Sequence, residues 1–131
     1  MPEIGLTALY RAYIDCLNNR AWHDLGRYIA EDIAYNGNTI GLDGYRQARE
    51  AEFRNIPDLH FKIQMLIADD TTIASRLAFD ITPRAEFLGL PVNGRRISFA
   101  ENVFYECEND RIAKVWSIID NVAVAAQLSG R

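Results

Sequence analysis

The chain has 131 residues, of which 49% are hydrophobic and 24% are charged. At this length one domain buries enough surface to hold its core without a disulfide or a metal, so we expect a single domain over residues 1–131. The net charge of -4 argues against nucleic-acid binding, which relies on clustered Lys and Arg, and favours a small neutral or weakly acidic ligand.

Cysteine content and the N-terminal sequence predict the compartment. Cys16 and Cys107 lie far apart, without the spacing of a metal site or the number needed for a disulfide framework. Residues 1–3 lack the basic start of a signal peptide, and no stretch approaches the roughly 18 apolar residues of a membrane span. We therefore expect a reduced, cytoplasmic protein with no metal site and no contact with a membrane.

Helical periodicity dominates the first part of the chain. Apolar residues recur at three- and four-residue steps over residues 6–17, and again on a shorter helix over residues 22–29. Asp43 is a candidate N-cap for a third helix that runs to about Asn55, where Pro57 prevents continuation. The pattern predicts three N-terminal helices.

From His60 onward the periodicity changes to two. Strands are predicted over residues 61–67, 71–82, 97–107 and 111–121, with a connecting loop over residues 89–94. Asn109 and Asp110 join the last two strands as a turn pair that tolerates positive φ. The first strand is half-buried by its alternation, with one apolar set: Phe61, Ile63, Met65 and Ile67. This order predicts an α+β fold, a cone-shaped barrel in which a curved, mainly antiparallel sheet wraps around the three helices.

The open end of such a cone is the expected place for an apolar ligand pocket. If Asn109 and Asp110 are the two turn residues, Glu101 pairs with Ile118 across the final hairpin. Because side chains alternate faces along a strand, one face then carries a mostly apolar and aromatic set with two carboxylates. This predicted pocket face consists of Phe99, Glu101, Val103, Tyr105, Trp116, Ile118 and Asp120. A one-residue slip would turn every one of these side chains over.

Asp120 is the leading candidate for acid–base chemistry, because the sequence on both sides of it is strongly apolar. A carboxylate in a dry pocket is suited to take a proton from a carbon acid and return it elsewhere. Alternatively, Asp120 ends the last strand and caps the Ala-rich segment that follows, or it pairs with an arginine. Glu101 could share a proton with Asp120 or form an ion pair with Arg76, which could itself polarise a carbonyl or anchor a carboxylate.

A set of short motifs spans nearly the whole chain. They are Phe53-Arg54-Asn55-Ile56-Pro57-Asp58-Leu59, Arg76, Phe87-Leu88-Gly89-Leu90-Pro91-Val92-Asn93-Gly94, the segment from Ile112 through Trp116 to Asp120, and Gln127-Leu128. Together they resemble the SnoaL-like polyketide cyclases of the nuclear transport factor 2-like superfamily. The resemblance implies a homodimeric cone-shaped barrel that closes a ring by intramolecular aldol chemistry without a cofactor, with Asp120 as the acid/base.

The resulting hypothesis is a cyclase-type reaction without a cofactor on a small hydrophobic or cyclic carbonyl compound. Asp120 would remove a proton next to the carbonyl, and Glu101, Arg76 or Tyr105 would stabilise the enolate oxygen. Two alternatives stay open. Epoxide hydrolysis requires Arg76 and Asp120 to converge with Asp80 or Glu101. A non-catalytic ligand-binding or dimer-scaffold protein would have a closed ion pair between Asp120 and Arg76 and a cavity well below roughly 300 Å³.

The face of the final hairpin opposite to the pocket predicts a homodimer. In the predicted register this face carries Phe104, Val115 and Ile119, and a contiguous apolar patch of that kind favours a symmetric partner. A monomer is the competing prediction, because four polar residues alternate with the apolar ones: Ser98, Asn102, Glu106 and Ser117.

Overall fold

Short helices and strands alternate in the first part of the molecule, before long antiparallel strands take over. A computed structural model describes residues 5–92 and 94–129. The first part contains helix α1 (Leu6–Asn18), a 3-10 helix (Trp22–Arg27), strands β1 (Ile29–Tyr35) and β2 (Asn38–Thr39), and helix α2 (Gly41–Asn55). The second part contains β3 (Lys62–Ala68), β4 (Thr72–Ile81), β5 (Glu86–Phe87), β6 (Leu90–Pro91), β7 (Ile97–Glu108), β8 (Arg111–Ile119) and helix α3 (Asn121–Ser129).

Six of the strands form one sheet in the order β2-β1-β8-β7-β4-β3, and β5 pairs with β6 in a separate hairpin. The β1–β8 pair is parallel, and the other neighbours are antiparallel. Helices α1 and α2 pack against the inner face of this curved sheet, and their apolar sides form the core with it. The predicted α+β class, with helices held in a mainly antiparallel sheet, is confirmed.

The N-terminal part differs from the prediction of three helices. The second predicted helix is a 3-10 helix that ends at Arg27, and Ile29 begins strand β1. This strand buries Ile29 and Ile33 and finds its hydrogen-bonding partner in β8, about 80 residues later in the chain. A partner that distant leaves no local signal in the sequence. The C-terminal helix α3 was also not predicted as a helix.

Strand β3 contains a β-bulge that reverses its predicted faces. Ile63 pairs with Leu77 on β4, but Met65 pairs with Arg76, so Gln64 is an extra residue in the ladder. Beyond the bulge, Leu66 turns toward the core, and Met65 and Ile67 become 56% and 64% exposed. The predicted burial of Met65 and Ile67 is therefore wrong.

A second β-bulge, in β8, reverses the predicted faces of that strand in the final hairpin. The turn is as predicted: Asn109 and Asp110 both have positive φ, and Glu108 pairs with Arg111. The register then shifts between Glu106 and Cys107, because β8 contributes one extra residue to the ladder there. Glu101 consequently pairs with Ile119 rather than Ile118, and Val103 pairs with Ser117 rather than Trp116. The predicted register of the pocket face is wrong for β8 and right for β7.

A group of buried tyrosines joins the helices to the sheet behind the cone opening. The hydroxyl of Tyr10 on α1 lies 3.0 Å from that of Tyr105 on β7, and the hydroxyls of Tyr13 and Tyr45 are hydrogen-bonded to each other. Burial raises the pKa of all four phenols, so they are neutral hydrogen-bonding groups at ordinary pH.

Three expectations concern features outside or only partly inside the described structure. The residues used for the signal-peptide prediction, 1–3, and Asn93 of the predicted connecting loop lie outside the described residues. Within the described part of that loop, β6 pairs with β5 as a short hairpin. In residues 5–92 and 94–129, none of the helices combines the length and the hydropathy of a membrane span.

Candidate active site

A cavity of about 60 Å³ lies between α2 and the inner face of the sheet, at the open end of the cone. Most of its lining residues are apolar or aromatic, and the charged ones come from both α2 and the sheet. The lining residues from the sheet and the β5–β6 hairpin are Tyr35, Phe79, Ile81, Phe87, Phe99, Glu101 and Ile119. Those from α2 and the segment after it are Arg49, Glu52, Ile56, Leu59 and Phe61. This is the shape and chemistry expected for a small-molecule site, at a small volume.

Helix α2 supplies a guanidinium to the cavity. Arg49 follows Tyr45 by four residues and precedes Phe53 by four, so it lies on the buried face of the helix. Its side chain is only 12% exposed, and its Nε lies 2.7 Å from Oε1 of Glu52. Its guanidinium carbon also lies 4.8 Å from the centroid of the Tyr45 ring. A carboxylate and an aromatic face therefore hold the cation in place at the cavity wall.

Strand β7 supplies a carboxyl group to the same cavity. Glu101 lies on the inner face, and the hydroxyl of Ser117 on β8 donates a hydrogen bond to its Oε2. Burial raises the pKa of Glu101, and the negative charge of Glu52 adds to the rise, although the Ser117 hydrogen bond and the charge of Arg49 lower it. A carboxyl group with a raised pKa in an apolar cavity is a candidate general base.

A row of phenylalanine rings forms much of the apolar part of the cavity wall. The rings of Phe61 and Phe79 are 5.2 Å apart between centroids, Phe79 and Phe99 are 5.2 Å apart and stacked, and Phe99 and Phe87 are 5.1 Å apart. Phe99 was predicted to face the pocket, and the structure places it there. Flat ligands are the natural occupants of a space bounded by such rings.

Asp120 does not face the cavity. It follows β8 with an exposed side chain, and its Oδ1 accepts a 3.0 Å hydrogen bond from the backbone N–H of Ala123 in the first turn of α3. The prediction that it faces the pocket is wrong, because the bulge in β8 shifts the register. The alternative, that Asp120 ends the last strand and caps the following segment, is confirmed.

The other predicted site residues divide between the two sheet faces. Glu101 and Phe99 line the cavity. Val103 and Tyr105 are on the inner face but are buried deeper, at 3% exposure each. Trp116 and Ile118 are on the outer face, at 39% and 73% exposure, so their predicted position in the pocket is wrong for the same reason as that of Asp120.

Arg76 also lies on the outer face, opposite Asn102 on β7. Its Nε donates to Oε1 of Gln64 at 2.7 Å, and its Nη1 donates to Oδ1 of Asn102 at 3.1 Å. The predicted ion pair between Arg76 and Glu101 is wrong, because these neighbouring positions of the β4–β7 ladder point to opposite sides of the sheet. Because Arg76 lies on the outer face, its predicted role in the pocket is also wrong.

The arrangement required for epoxide hydrolysis is not found. Asp80 is on the outer face, where its two carboxylate oxygens accept from Nε and Nη2 of Arg96 at 2.6 and 2.7 Å. Arg76 bonds to two amides on that face and Asp120 caps α3, so neither converges with a carboxylate in the cavity. The epoxide hydrolase hypothesis therefore has no support in the geometry.

The scaffold hypothesis made two structural predictions, and they have opposite outcomes. The cavity of about 60 Å³ is well below the roughly 300 Å³ expected for a drug-sized ligand, as a scaffold would have it. The closed ion pair between Asp120 and Arg76 is absent, because both side chains have other partners. The volume thus limits the size of any ligand, and the cavity is large enough for water or a small organic molecule.

Four polar residues at or beside the cavity were not predicted: Arg49, Glu52, Tyr35 and Ser117. A signal for Arg49 was present, since an arginine that alternates with Tyr45 and Phe53 at four-residue steps is a charge on the apolar face of a helix. The position of Tyr35 depends on β1, whose partner strand is distant in the chain, and the inward position of Ser117 depends on the bulge in β8. In the described part of the chain, no three metal-ligating side chains come together.

The fold and the cavity define a class: an α+β cone with a small, mostly apolar cavity whose described lining residues include one arginine and two glutamates. A family model for the SnoaL-like polyketide cyclases matches residues 7–128. The chain belongs to the SnoaL-like polyketide cyclase family. The comparison with curated proteins gives no match.

Solved structures show the same fold. A SnoaL-like polyketide cyclase from Agrobacterium tumefaciens is 44% identical, with a TM-score of 0.94 over 96% of this chain and 99% of that one. IdmH from Streptomyces antibioticus is 21% identical, with a TM-score of 0.80 over 95% and 98% of the two chains. TsrD from Streptomyces laurentii is 19% identical, with a TM-score of 0.84 over 98% and 97%. The last two similarities concern the fold alone.

Proposed function

We propose that the chain is an acid–base enzyme of the polyketide cyclase type that works without a cofactor, in which Glu101 moves the proton. The observation that carries this proposal is the position of the Glu101 carboxyl in an apolar cavity that the guanidinium of Arg49 also lines. Burying ionisable groups in an apolar wall is a poor way to stabilise a fold, because their desolvation offsets much of the attraction between them. Such groups are typical of sites that perform proton transfer.

The proposed reaction begins with removal of a proton next to a carbonyl group. The ionised Glu101 takes the proton from the carbon, and the electron pair of that C–H bond moves to the carbonyl oxygen as an enolate. The guanidinium of Arg49 stabilises the developing negative charge. In ring closure, the enolate carbon bonds to a second carbonyl carbon, and protonated Glu101 returns its proton to the new alkoxide oxygen.

The charges in the cavity favour a neutral substrate. One guanidinium, that of Arg49, faces two carboxyl groups, those of Glu52 and Glu101, so the site has a net negative charge when both are ionised. A ligand carboxylate would meet repulsion there, whereas a neutral carbonyl oxygen accepts a hydrogen bond from the guanidinium without adding charge. The proposed substrate is therefore a small neutral carbonyl compound with an acidic α-proton.

The test is α-proton exchange in deuterated buffer, followed by NMR with acetone and acetophenone as probes. We expect the protein to accelerate loss of the α-proton signal over buffer for acetone, because enolisation is the step that the proposed groups catalyse. The control is the same protein after heat unfolding, which keeps the carboxylates but loses the cavity. Equal exchange in native, unfolded and protein-free samples would contradict the proposal.

The second candidate is a non-catalytic ligand-binding or dimer-scaffold protein, and the cavity volume of about 60 Å³ favours it. The same experiment separates the two. A binder shifts its amide signals on addition of a ketone without accelerating exchange, and a scaffold does neither. Acceleration by the folded protein supports the enzyme alone.

We also propose a homodimer formed through the outer face of the sheet. Phe104 is on that face as predicted, but Val115 and Ile119 face inward and other residues take their place. This surface consists of two rows of residues that pair with one another across β3, β4, β7 and β8. The first row is Ile67, Ala74, Phe104 and Trp116, and the neighbouring row is Met65, Arg76, Asn102 and Ile118. A symmetric contact between two copies would bury this patch against itself.

Light scattering at micromolar concentration is expected to give about twice the chain mass of 14.9 kDa. Ile118→Glu puts a charge within the proposed interface and is expected to raise the dimer dissociation constant about 100-fold or more. Val122→Glu is the matched control, because Val122 is 81% exposed on α3 outside the sheet and should leave the dimer intact. A wild-type mass near 14.9 kDa would rule out the dimer.

A further inference from the structure

The walls of the cavity differ in how they are held. Phe79 and Phe99 belong to strands of the six-stranded sheet, and Arg49 and Glu52 belong to α2. Among the described residues that line the cavity, Phe87 alone lies on the β5–β6 hairpin, which pairs only within itself. The ring of Phe87 can therefore be removed or displaced without disturbing the ladder of the main sheet.

The hairpin is tied at its base to the helix that carries the polar groups. Asn55, the last residue of α2, accepts a 2.8 Å hydrogen bond from the backbone N–H of Arg84 through its carbonyl oxygen. Its side chain accepts from the N–H of Ala85 at 3.2 Å through Oδ1 and donates to the carbonyl of Glu86 at 2.9 Å through Nδ2. These three bonds anchor the start of the hairpin to the end of α2, the helix that carries Arg49 and Glu52.

The Phe87 ring is the last ring of the aromatic wall and occupies part of the space next to Phe99. It lies 5.1 Å from Phe99 between centroids, at the end of the row of phenylalanines. With this ring in place the cavity measures about 60 Å³, whereas a cavity that holds benzene in a protein core measures about 150 Å³. A ligand with an aromatic ring therefore needs the space that Phe87 occupies.

We propose that Phe87 is the residue that sets the size limit for the ligand, and that replacing it with a small residue converts the site from small aliphatic ketones to aryl ketones. This inference rests on the proposed function. The space left by the Phe87 side chain is a phenyl-sized slot next to Phe99, in the same cavity that Arg49 lines. The three bonds from Asn55 keep the backbone of the hairpin in position when the ring is removed.

The experiment compares the dissociation constants of acetone and acetophenone, measured by amide chemical-shift titration. For Phe87→Ala we expect acetophenone affinity to rise roughly ten- to hundredfold, the gain that comes with burial of a phenyl ring. Acetone affinity should stay the same or fall, because a ligand that already fits gains no contact from the added space and loses its contact with the Phe87 ring. Leu88→Ala is the matched control, because Leu88 is the next residue of the same hairpin, is 43% exposed and does not line the cavity.

The outcomes distinguish this proposal from the proposed function. If acetophenone binds equally to the wild type and Phe87→Ala, or if Leu88→Ala has the same effect, Phe87 is not the size limit, and α-proton exchange of acetone still tests the enzyme separately. If neither ketone binds to any variant, both proposals fail. Phe87→Leu, which leaves a smaller gap, provides the same comparison if the alanine variant does not fold.

Discussion

Glu101→Gln is expected to reduce α-proton exchange by about 10²–10⁴-fold, the usual contribution of a general base. The amide has nearly the shape of the carboxyl group, and its oxygen can still accept the hydrogen bond that Ser117 donates to Glu101. It cannot take a proton from carbon. The measurement is the exchange rate by NMR, and in the wild type this rate should rise with pH as Glu101 ionises, with a midpoint above the ordinary glutamate pKa of 4.5 because burial raises it.

The same substitution is expected to leave the protein as stable as the wild type, or more stable, at pH 7. The pKa of Glu101 is raised in the folded state, so the folded protein binds this proton more tightly than the unfolded chain does. Its contribution to stability is therefore complete below a pH of about 4.5 and is lost as the pH rises through the raised pKa. Gln does not titrate, so the variant does not lose this stability as the pH rises. Thermal unfolding of the wild type and the variant at pH 5 and pH 7 measures the difference in stability between them.

Asp120→Asn is the control for this experiment. Asn is as good an N-cap as Asp, so the substitution keeps the bond to Ala123 while removing the carboxylate. We expect exchange within about twofold of the wild type, because general-base loss acts only at a group that reaches the reacting carbon. If Asp120→Asn lost activity and Glu101→Gln kept it, the assignment of the base to Glu101 would be overturned.

The long antiparallel strands could be predicted from the sequence, because their signals are local. β4 and β7 alternate inward apolar residues with outward ones, and the Asn109-Asp110 turn fixes where β8 begins. These two strands give the α+β class and the correct face for Glu101. Parts of the fold that depend on a distant partner, such as β1 against β8, could not be predicted in this way.

The faces of β8 were predicted wrongly because most of the strand is apolar on both sides. Val115 and Ile119 face inward and Trp116 and Ile118 face outward, so the hydrophobic pattern of these residues is compatible with either register.

One extra residue near the turn decides between the two registers. Lys114 is the residue that argues against the predicted register, in which it would lie opposite Tyr105 on the inner face. In the structure Lys114 is exposed and pairs with Glu106. The prediction that Asp120 faces the pocket depended on the register that Lys114 disfavours.

Arg49→Met is expected to reduce the exchange rate by about 10²–10³-fold, the usual effect of removing a donor that stabilises an oxyanion. Met fills a similar volume along the wall but brings no charge and no N–H group. The loss should come mainly in kcat, because the negative charge that Arg49 stabilises develops in the enolate and not in the neutral ketone.

This substitution also makes a separate prediction about pH. The charge of Arg49 lowers the pKa of Glu101, so removing it lets that pKa rise further and moves the midpoint of the pH–rate profile to higher pH. Arg49→Lys keeps the charge but loses the planar donor fork, so its midpoint should stay near that of the wild type while its rate falls.

Arg54→Met is the matched control on the same helix. Arg54 lies in the last turn of α2, is exposed and does not line the cavity, so neither the rate nor the midpoint should change. Because Arg49 and Glu101 lie on different elements, a shift of the midpoint in Arg49→Met alone means that the two groups face each other across the cavity. A rate that falls without any movement of the midpoint would mean that Arg49 acts on the fold of α2 and not on the base.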